Sequence, residues 1–346
     1  MRWSCFDVGS SGYVQASALA DALSKNFGTK IRLLPSGNAI GRLMPVTTGK
    51  VDCGHLTNEA FFAAEGTYDF SSIEWGPQDL RVILAHPGTI GCATTKTGGI
   101  KTIKDLKGKR VAWVPGSPNI NTKMEAFLAF GGYSFDDVEL IEMPNYAASM
   151  RAVLEGKTDA AVASSTASIM YELESSPKGI HWIEFPPENK EGWARLQKLA
   201  PYFSPFKESI GAGIDKDKPL DFPAYRYPMI TVYADKDADW VYNLTKAIDL
   251  TFEDYKDAMA IMYLWEIKYS GVPPADIPFH EGAIKYLKEK GVWKAEHDAW
   301  NNARISHMKK VQQAWEKALE KAEAQKIKAK NFPKFWLEER KIALQD

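Results

Sequence analysis

The amino-acid sequence predicts an α/β protein of two similar lobes, each a parallel-type sheet flanked by helices. Strand-like and helix-like segments alternate from residue 3 onward. The strands are short, continuously apolar runs, as in sheets covered on both faces. The βαβ rhythm of the first hundred residues starts again near residue 109.

The first lobe opens with a strand over residues 3–8 and the turn Gly9-Ser10-Ser11-Gly12. An amphipathic helix follows, with Val14, Ala18, Leu19 and Leu23 on one face. Lys30–Leu34 is the second strand, ended by Pro35-Ser36-Gly37-Asn38, and the next helix carries Ile40, Leu43 and Met44. Val51–Leu56 is the third strand. Val82–Ala85 and Ile90–Thr94 follow, the latter marking the first crossing between lobes. In the second lobe, Lys109–Val114 is a strand, Pro115-Gly116-Ser117-Pro118 a turn and Ile120–Phe130 a helix. The strand Val138–Met143, the helix Ala147–Leu154 and the strand Thr158–Ala163 repeat the pattern. Residues 185–228 concentrate prolines and read as irregular, and Met229–Ala234 is a strand returning the chain to the first lobe. Helices are then expected over Ala238–Phe252, Asp257–Tyr263, Glu281–Lys290 and 297–328. The expected division is 1–88 with 236–346 in lobe one, including a helical C-terminal extension, and 89–235 in lobe two.

Composition removes several function classes. Lys plus Arg is 43 against 44 Asp plus Glu, so no cationic excess exists to neutralise nucleic-acid phosphates. Mean hydropathy is −0.31, and no run approaches the ~18 apolar residues that span a bilayer. No signal-peptide pattern precedes Trp3, which leaves a cytoplasmic protein or a mature chain whose export signal has been removed. Cys5, Cys53 and Cys92 lack CxxC spacing and read as small hydrophobes, with a Cys5–Cys53 bridge as the alternative. The six histidines form no zinc spacing, and neither a nucleophile elbow nor a phosphate loop is present. No motif argues for catalysis, and no metal or cofactor is expected.

What recurs is a small polar cluster between a strand and a helix: Gly9–Gly12, Pro35–Asn38, Thr57-Asn58, Pro115–Pro118 and Ser164-Ser165-Thr166. Such residues cap helices. They also present hydroxyls and free N–H groups where a helix dipole favours an anion. Five clusters at strand carboxyl ends, divided between two lobes, point to a ligand cleft.

The ordered set Gly9-Ser10-Ser11-Gly12-Tyr13, Ser36-Gly37-Asn38 with Arg42-Leu43, Gly49-Lys50-Val51-Asp52, Ile103–Val111, Pro115-Gly116-Ser117, Leu154–Ala160 and Pro278–Ala283 runs over residues 3–295. In it the chain resembles the TAXI family of solute-binding proteins from TRAP (tripartite ATP-independent periplasmic) transporters. The resemblance implies a bilobed type II periplasmic-binding-protein fold, a monomer in the periplasm, and no catalysis. It further implies capture of a small organic anion or amino acid for delivery to TRAP membrane subunits. Carried over, the ligand contacts are Ser10, Ser11, Tyr13, Ser36, Asn38, Thr57 and Asn58 from the first lobe. From the second they are Ser117, Asn119, Tyr146, Ser164, Ser165 and Thr166. Arg42 is a charged partner for the ligand or a brace outside the cleft, and Tyr225 and Tyr227 are cleft or core aromatics. The family turn Gly-Gly-x-Tyr-Tyr-Pro is altered here at Ser10, Gly12 and Val14, and Thr57-Asn58 replaces the usual Gln-Ser. These departures leave the ligand open between a glutamate-like amino acid and a compact organic acid. The alternatives are an enzyme on a similar bilobed fold and an ABC-transporter binding protein. Residues 302–346 run past the expected family core.

Overall fold

Continuously apolar strands need cover on both faces, and the chain meets that need twice. The structure, a computed structural model, describes residues 1–344. The first sheet holds β1 (Arg2–Phe6), β2 (Arg32–Ser36), β3 (Cys53–Leu56) and β4 (Leu80–Thr89). The second holds β5 (Gly91–Thr95), β6 (Arg110–Trp113), β7 (Glu139–Glu142), β8 (Ala160–Ala163) and β9 (Ile180–Ile183), in the order β7-β6-β8-β5-β9. Two later strands, β10 (Ser204–Glu208) and β11 (Leu220–Tyr233), join the first sheet. Its order is β10-β11-β3-β1-β2, with β4 also on β11.

Both sheets are mixed rather than parallel throughout. The βαβ strands pair in parallel, β1 with β2 and β3, β6 with β7 and β8. The strands that cross between sheets enter antiparallel: β11 against β3 and β4, and β5 against β8 and β9. A strand leaving one sheet for the other reverses direction relative to the strands it joins. The architecture is a bilobed α/β fold, two mixed sheets each flanked by helices.

Each polar cluster starts a helix. Ser10 caps α1 (Ser11–Phe27), Asn38 caps α2 (Ala39–Thr47) and Asn145 caps α5 (Tyr146–Glu155), each side chain accepting a first-turn N–H. Thr57 precedes α3 (Asn58–Glu65), and Pro118 begins α4 (Pro118–Phe130), where its missing N–H costs nothing. The helices α6 (Ser168–Ser175), α7 (Lys190–Leu199) and α8 (Ala238–Leu250) complete the layers.

Two segments depart from expectation. Residues 185–228 are ordered, containing α7, β10 and half of β11. Their prolines are tolerated because β10 is an exposed edge strand and β11 shifts register between Arg226 and Met229. The strand expected to return the chain does so, Met229–Thr231 pairing with β3 and Met229–Tyr233 with β4 in the first sheet. Residues 257–263, expected as helix, are mostly turns leading into a 3-10 turn over Met262–Trp265, where buried Met262 and Trp265 anchor the segment in the first-lobe core. The three cysteines are free and buried. Register sets Trp3, not Cys5, opposite Cys53, so no bridge forms.

The C-terminal extension is a 30-residue helix, Ala295–Ala324, and a shorter one, Phe332–Ala343, sharing a core of Val311, Trp315, Phe332 and Trp336. It docks on the end of α3. Buried Glu65 pairs there with Arg304, His307 and Arg340, and Trp336 Nε1 donates to the Gly66 carbonyl at 2.6 Å. The last two residues of the expected extension, Gln345 and Asp346, lie outside the described residues. Among the described residues no helix is long and apolar enough to cross a membrane.

Candidate functional site

Strands β1, β3, β6 and β8 deliver their carboxyl ends to one seam between the lobes, and the helix starts meet across it. Ala39 N–H donates to Ser117 Oγ (3.3 Å) and Ile40 N–H to the Gly116 carbonyl (3.2 Å). From the other side, Tyr146 N–H donates to the Gly37 carbonyl (2.9 Å) and Ala147 N–H to Asp7 Oδ2 (2.8 Å). Thr166 Oγ1 donates to Ser11 Oγ at 3.0 Å. Tyr227, on the returning strand, accepts from Gly12 N–H at 3.0 Å. The lobes are shut on one another, and the first two N–H donors of α2 and of α5 are spent on the opposite lobe.

Behind these bonds lies a buried group of charges. Arg42 lies over the Phe6 ring at 3.8 Å, donates through Nε to Glu59 Oε1 at 2.9 Å and through Nη1 to the Ser36 carbonyl at 3.1 Å. Among the described residues its Nη2 and Glu59 Oε2 have no hydrogen-bond partner. Asn119, wholly buried at the start of α4, has neither its amide oxygen nor its amide nitrogen paired among the described residues. One turn on, buried Lys123 donates to the Asn119 carbonyl at 3.0 Å and stands 4.7 Å from the Tyr225 ring centroid. Burial pulls this ammonium down to about 7. Asp276 accepts from Asn58 Nδ2 at 2.6 Å, and burial pushes its carboxyl up to about 6. Unpaired buried polar atoms are costly and uncommon in native proteins. Others exist, as on Trp3 and His55, but those two rings pack tilted against each other beside Trp265 in the first lobe. Those of Arg42, Glu59 and Asn119 come from both lobes and share one charged neighbourhood with Lys123.

The structure places each sequence-predicted residue. Ser10 and Asn38 are occupied as helix caps, Ser36 bonds locally to the Asn38 carbonyl, and Tyr13 is half-buried. Ser11, Ser117 and Thr166 bridge the lobes. Asn58, Asn119 and Tyr146 reach the interior, Tyr146 accepting from Ser164 N–H and set edge-on to Phe6. Thr57 bonds to the Arg226 carbonyl of β11. Ser164, Ser165 and Thr166 wall a cavity of about 330 Å³ beside the crossing strands, together with Tyr225, Tyr227 and Glu208. Arg42, expected to meet a ligand or brace a helix from outside, is wholly buried and pairs with Glu59. Sequence reasoning missed Glu59, Lys123 and Asp276. Lys123 left a signal: it shares a helix face with Ile120, Met124 and Phe127, where a solvated lysine has no place.

Residues 8–291 match the NMT1-like family. Among solved structures, a protein of Bordetella bronchiseptica RB50 aligns with a TM-score of 0.50 at 19% identity, over 86% of this chain and 90% of its own. That likeness is one of fold. The alkanesulfonate-binding protein SsuA from Xanthomonas axonopodis pv. citri, bound to MOPS, aligns at 0.43 and 16% over 84% and 89%. An ancestral arginine-binding protein bound to glutamine aligns at 0.43 and 15% over 74% and 96%.

Proposed function

The chain belongs to the NMT1-like family, and with that as premise we propose that it is an extracytoplasmic solute-binding protein without catalytic activity. Its ligand is a small organic acid or amino acid, closed between the lobes and handed to a membrane transporter. The observation that carries this reading is the set of unpaired atoms at the lobe junction: Arg42 Nη2, Glu59 Oε2 and both polar atoms of the Asn119 amide. A ligand bearing an acidic group and a hydroxyl, keto or amino group supplies the partners that these donors and acceptors lack. The cleft groups Ser11, Ser117 and Thr166 bond across the lobes, as a hinge-closing binding protein requires. The proposed moving bodies are 1–88 with 229–346, and 89–226, joined through the crossings at β4–β5 and β11.

The motifs shared with the TAXI family favour a TRAP permease as recipient. An ABC importer's binding protein has the same fold, and the transporter subunits encoded beside the gene separate the two. Mass spectrometry of the purified protein under native conditions, with tryptophan-fluorescence titration of acids and amino acids, tests the function. A bound acid recovered unchanged supports it. Turnover of the bound molecule, or binding only of neutral sugars, overturns it.

A further inference from the structure

Lys123 is the charge in this molecule least accounted for by its neighbours. Its side chain is wholly buried, and a buried ammonium is costly unless paired and fully hydrogen-bonded. Among the described residues it has one hydrogen bond, to the Asn119 carbonyl at 3.0 Å, and no ion pair within 4.0 Å. The aromatic face of Tyr225 lies on another side at 4.7 Å. The charges that face it are Glu59 from α3, Asp276 from the segment after β11, and Arg42 from α2. Among the described residues neither carboxylate hydrogen-bonds to it: Glu59 holds Arg42 through Oε1 and leaves Oε2 unpaired, and Asp276 Oδ2 accepts from Asn58. The ammonium therefore has donors left over. Four residues before it, on the same face of α4, the Asn119 side chain is wholly buried with both polar atoms unpaired.

We propose that Lys123 and Asn119 form the second lobe's anchor for the ligand's acidic group, Lys123 Nζ donating to one carboxylate oxygen and Asn119 Nδ2 to the other. Both groups sit in the first turns of α4, whose dipole adds to the attraction for an anion. The anchor rests on the solute-binding reading and gives it a division of labour. The Arg42–Glu59 pair on the first lobe meets the rest of the ligand, so full satisfaction of either set requires both lobes to close. It also fixes a specificity: an uncharged amide in place of the carboxylate leaves the ammonium's charge uncompensated and turns an NH2 donor toward Asn119 Nδ2 or Lys123, which penalises the amide.

The test compares wild type, Lys123→Met and Asn119→Ala by fluorescence titration against L-glutamate, 2-oxoglutarate and succinate. L-Glutamine and succinamate are the matched amides. Wild type should bind at least one acid, and bind it about ten- to a hundredfold more tightly than its amide. In Lys123→Met that preference should shrink to about threefold or less, while the unliganded protein melts no lower than wild type because an unpaired charge has been removed from the interior. Asn119→Ala should weaken the acid about tenfold, with a smaller loss of preference. A Lys123→Met variant that keeps the full preference for acid over amide overturns the anchor while leaving the solute-binding reading intact. If Lys123→Met does not fold, an Asn119→Ala protein that binds acid as tightly as wild type overturns it instead. Failure of wild type to bind any of the three acids overturns the organic-acid reading and the anchor with it.

Discussion

Glu65→Gln should unfasten the C-terminal helices from α3. The Glu65 carboxylate is 3% exposed and receives Arg304 at 2.7 Å, His307 at 3.0 Å and Arg340. Burial alone would raise its pKa. The hydrogen bond from His307 and the charges of Arg304 and Arg340 override that and hold it at about 2, against an ordinary 4.5. At 1.36 kcal/mol per unit, that depression corresponds to about 3 kcal/mol of folded-state stabilisation. The range of about 3–5 kcal/mol for breaking one side of a buried ion pair agrees with it. At about 2.1 cal/mol/K per residue, 346 residues give an unfolding entropy near 0.7 kcal/mol/K, so Tm should fall by about 4 °C. Because the folded pKa is depressed, the contribution is complete above about pH 4.5 and is lost as pH falls toward 2. Wild type and variant should therefore differ at pH 7 and converge near pH 2. Differential scanning calorimetry reads Tm, and limited proteolysis reads release of residues 302–344. A Glu65→Gln protein with unchanged Tm and unchanged proteolytic resistance at pH 7 would refute this account of how the extension is held.

The remaining predictions concern closure. Gly37 faces the second lobe so closely that an added Cβ would lie 2.3 Å from Asn145 Cβ, so Gly37→Ala should hold the lobes apart and abolish ligand-induced compaction in small-angle scattering without lowering Tm. An unchanged compaction would show that the seam yields. Ser11→Ala and Ser117→Ala each remove a cross-lobe hydrogen bond, which at about 0.5–1.5 kcal/mol predicts up to about tenfold weaker binding by calorimetry. Equal affinity in both variants would show that closure around the ligand does not depend on these bonds. Burial lowers the proton affinity of Lys123 in the shut, unliganded form, so closing without ligand is opposed below pH 7 and eased as pH rises through 7. The radius of gyration of the unliganded protein should fall from pH 6 to pH 9, whereas affinity for an acid should weaken over the same interval as the ammonium is lost. A radius independent of pH would count against a buried, titrating Lys123.

Much of this molecule is written in local pattern. Apolar runs such as Val111–Val114 declare strands, and Ser10, Asn38 and the Pro118 turn declare helix starts, because capping and periodicity act between residues a few positions apart. The two-lobe repeat follows from the same rhythm, and so do the cleft-edge residues Ser11, Ser117 and Thr166. Local pattern could not assign the segment 185–228, because its prolines suit β10 and β11 only where an edge and a register shift excuse them from the ladder. Nor could it foresee that Arg42 would be taken by Glu59, 17 residues away, or that residues past 302 would close on Glu65. Of the interior of the site, sequence reasoning reached Asn58, Asn119 and Tyr146, and tertiary structure decided the charges around them. Lys123, Asn119 and Asp276 become a candidate binding group only when the second lobe shuts on the first, since a charge acquires its cost, and its need for a partner, from the water that closure removes.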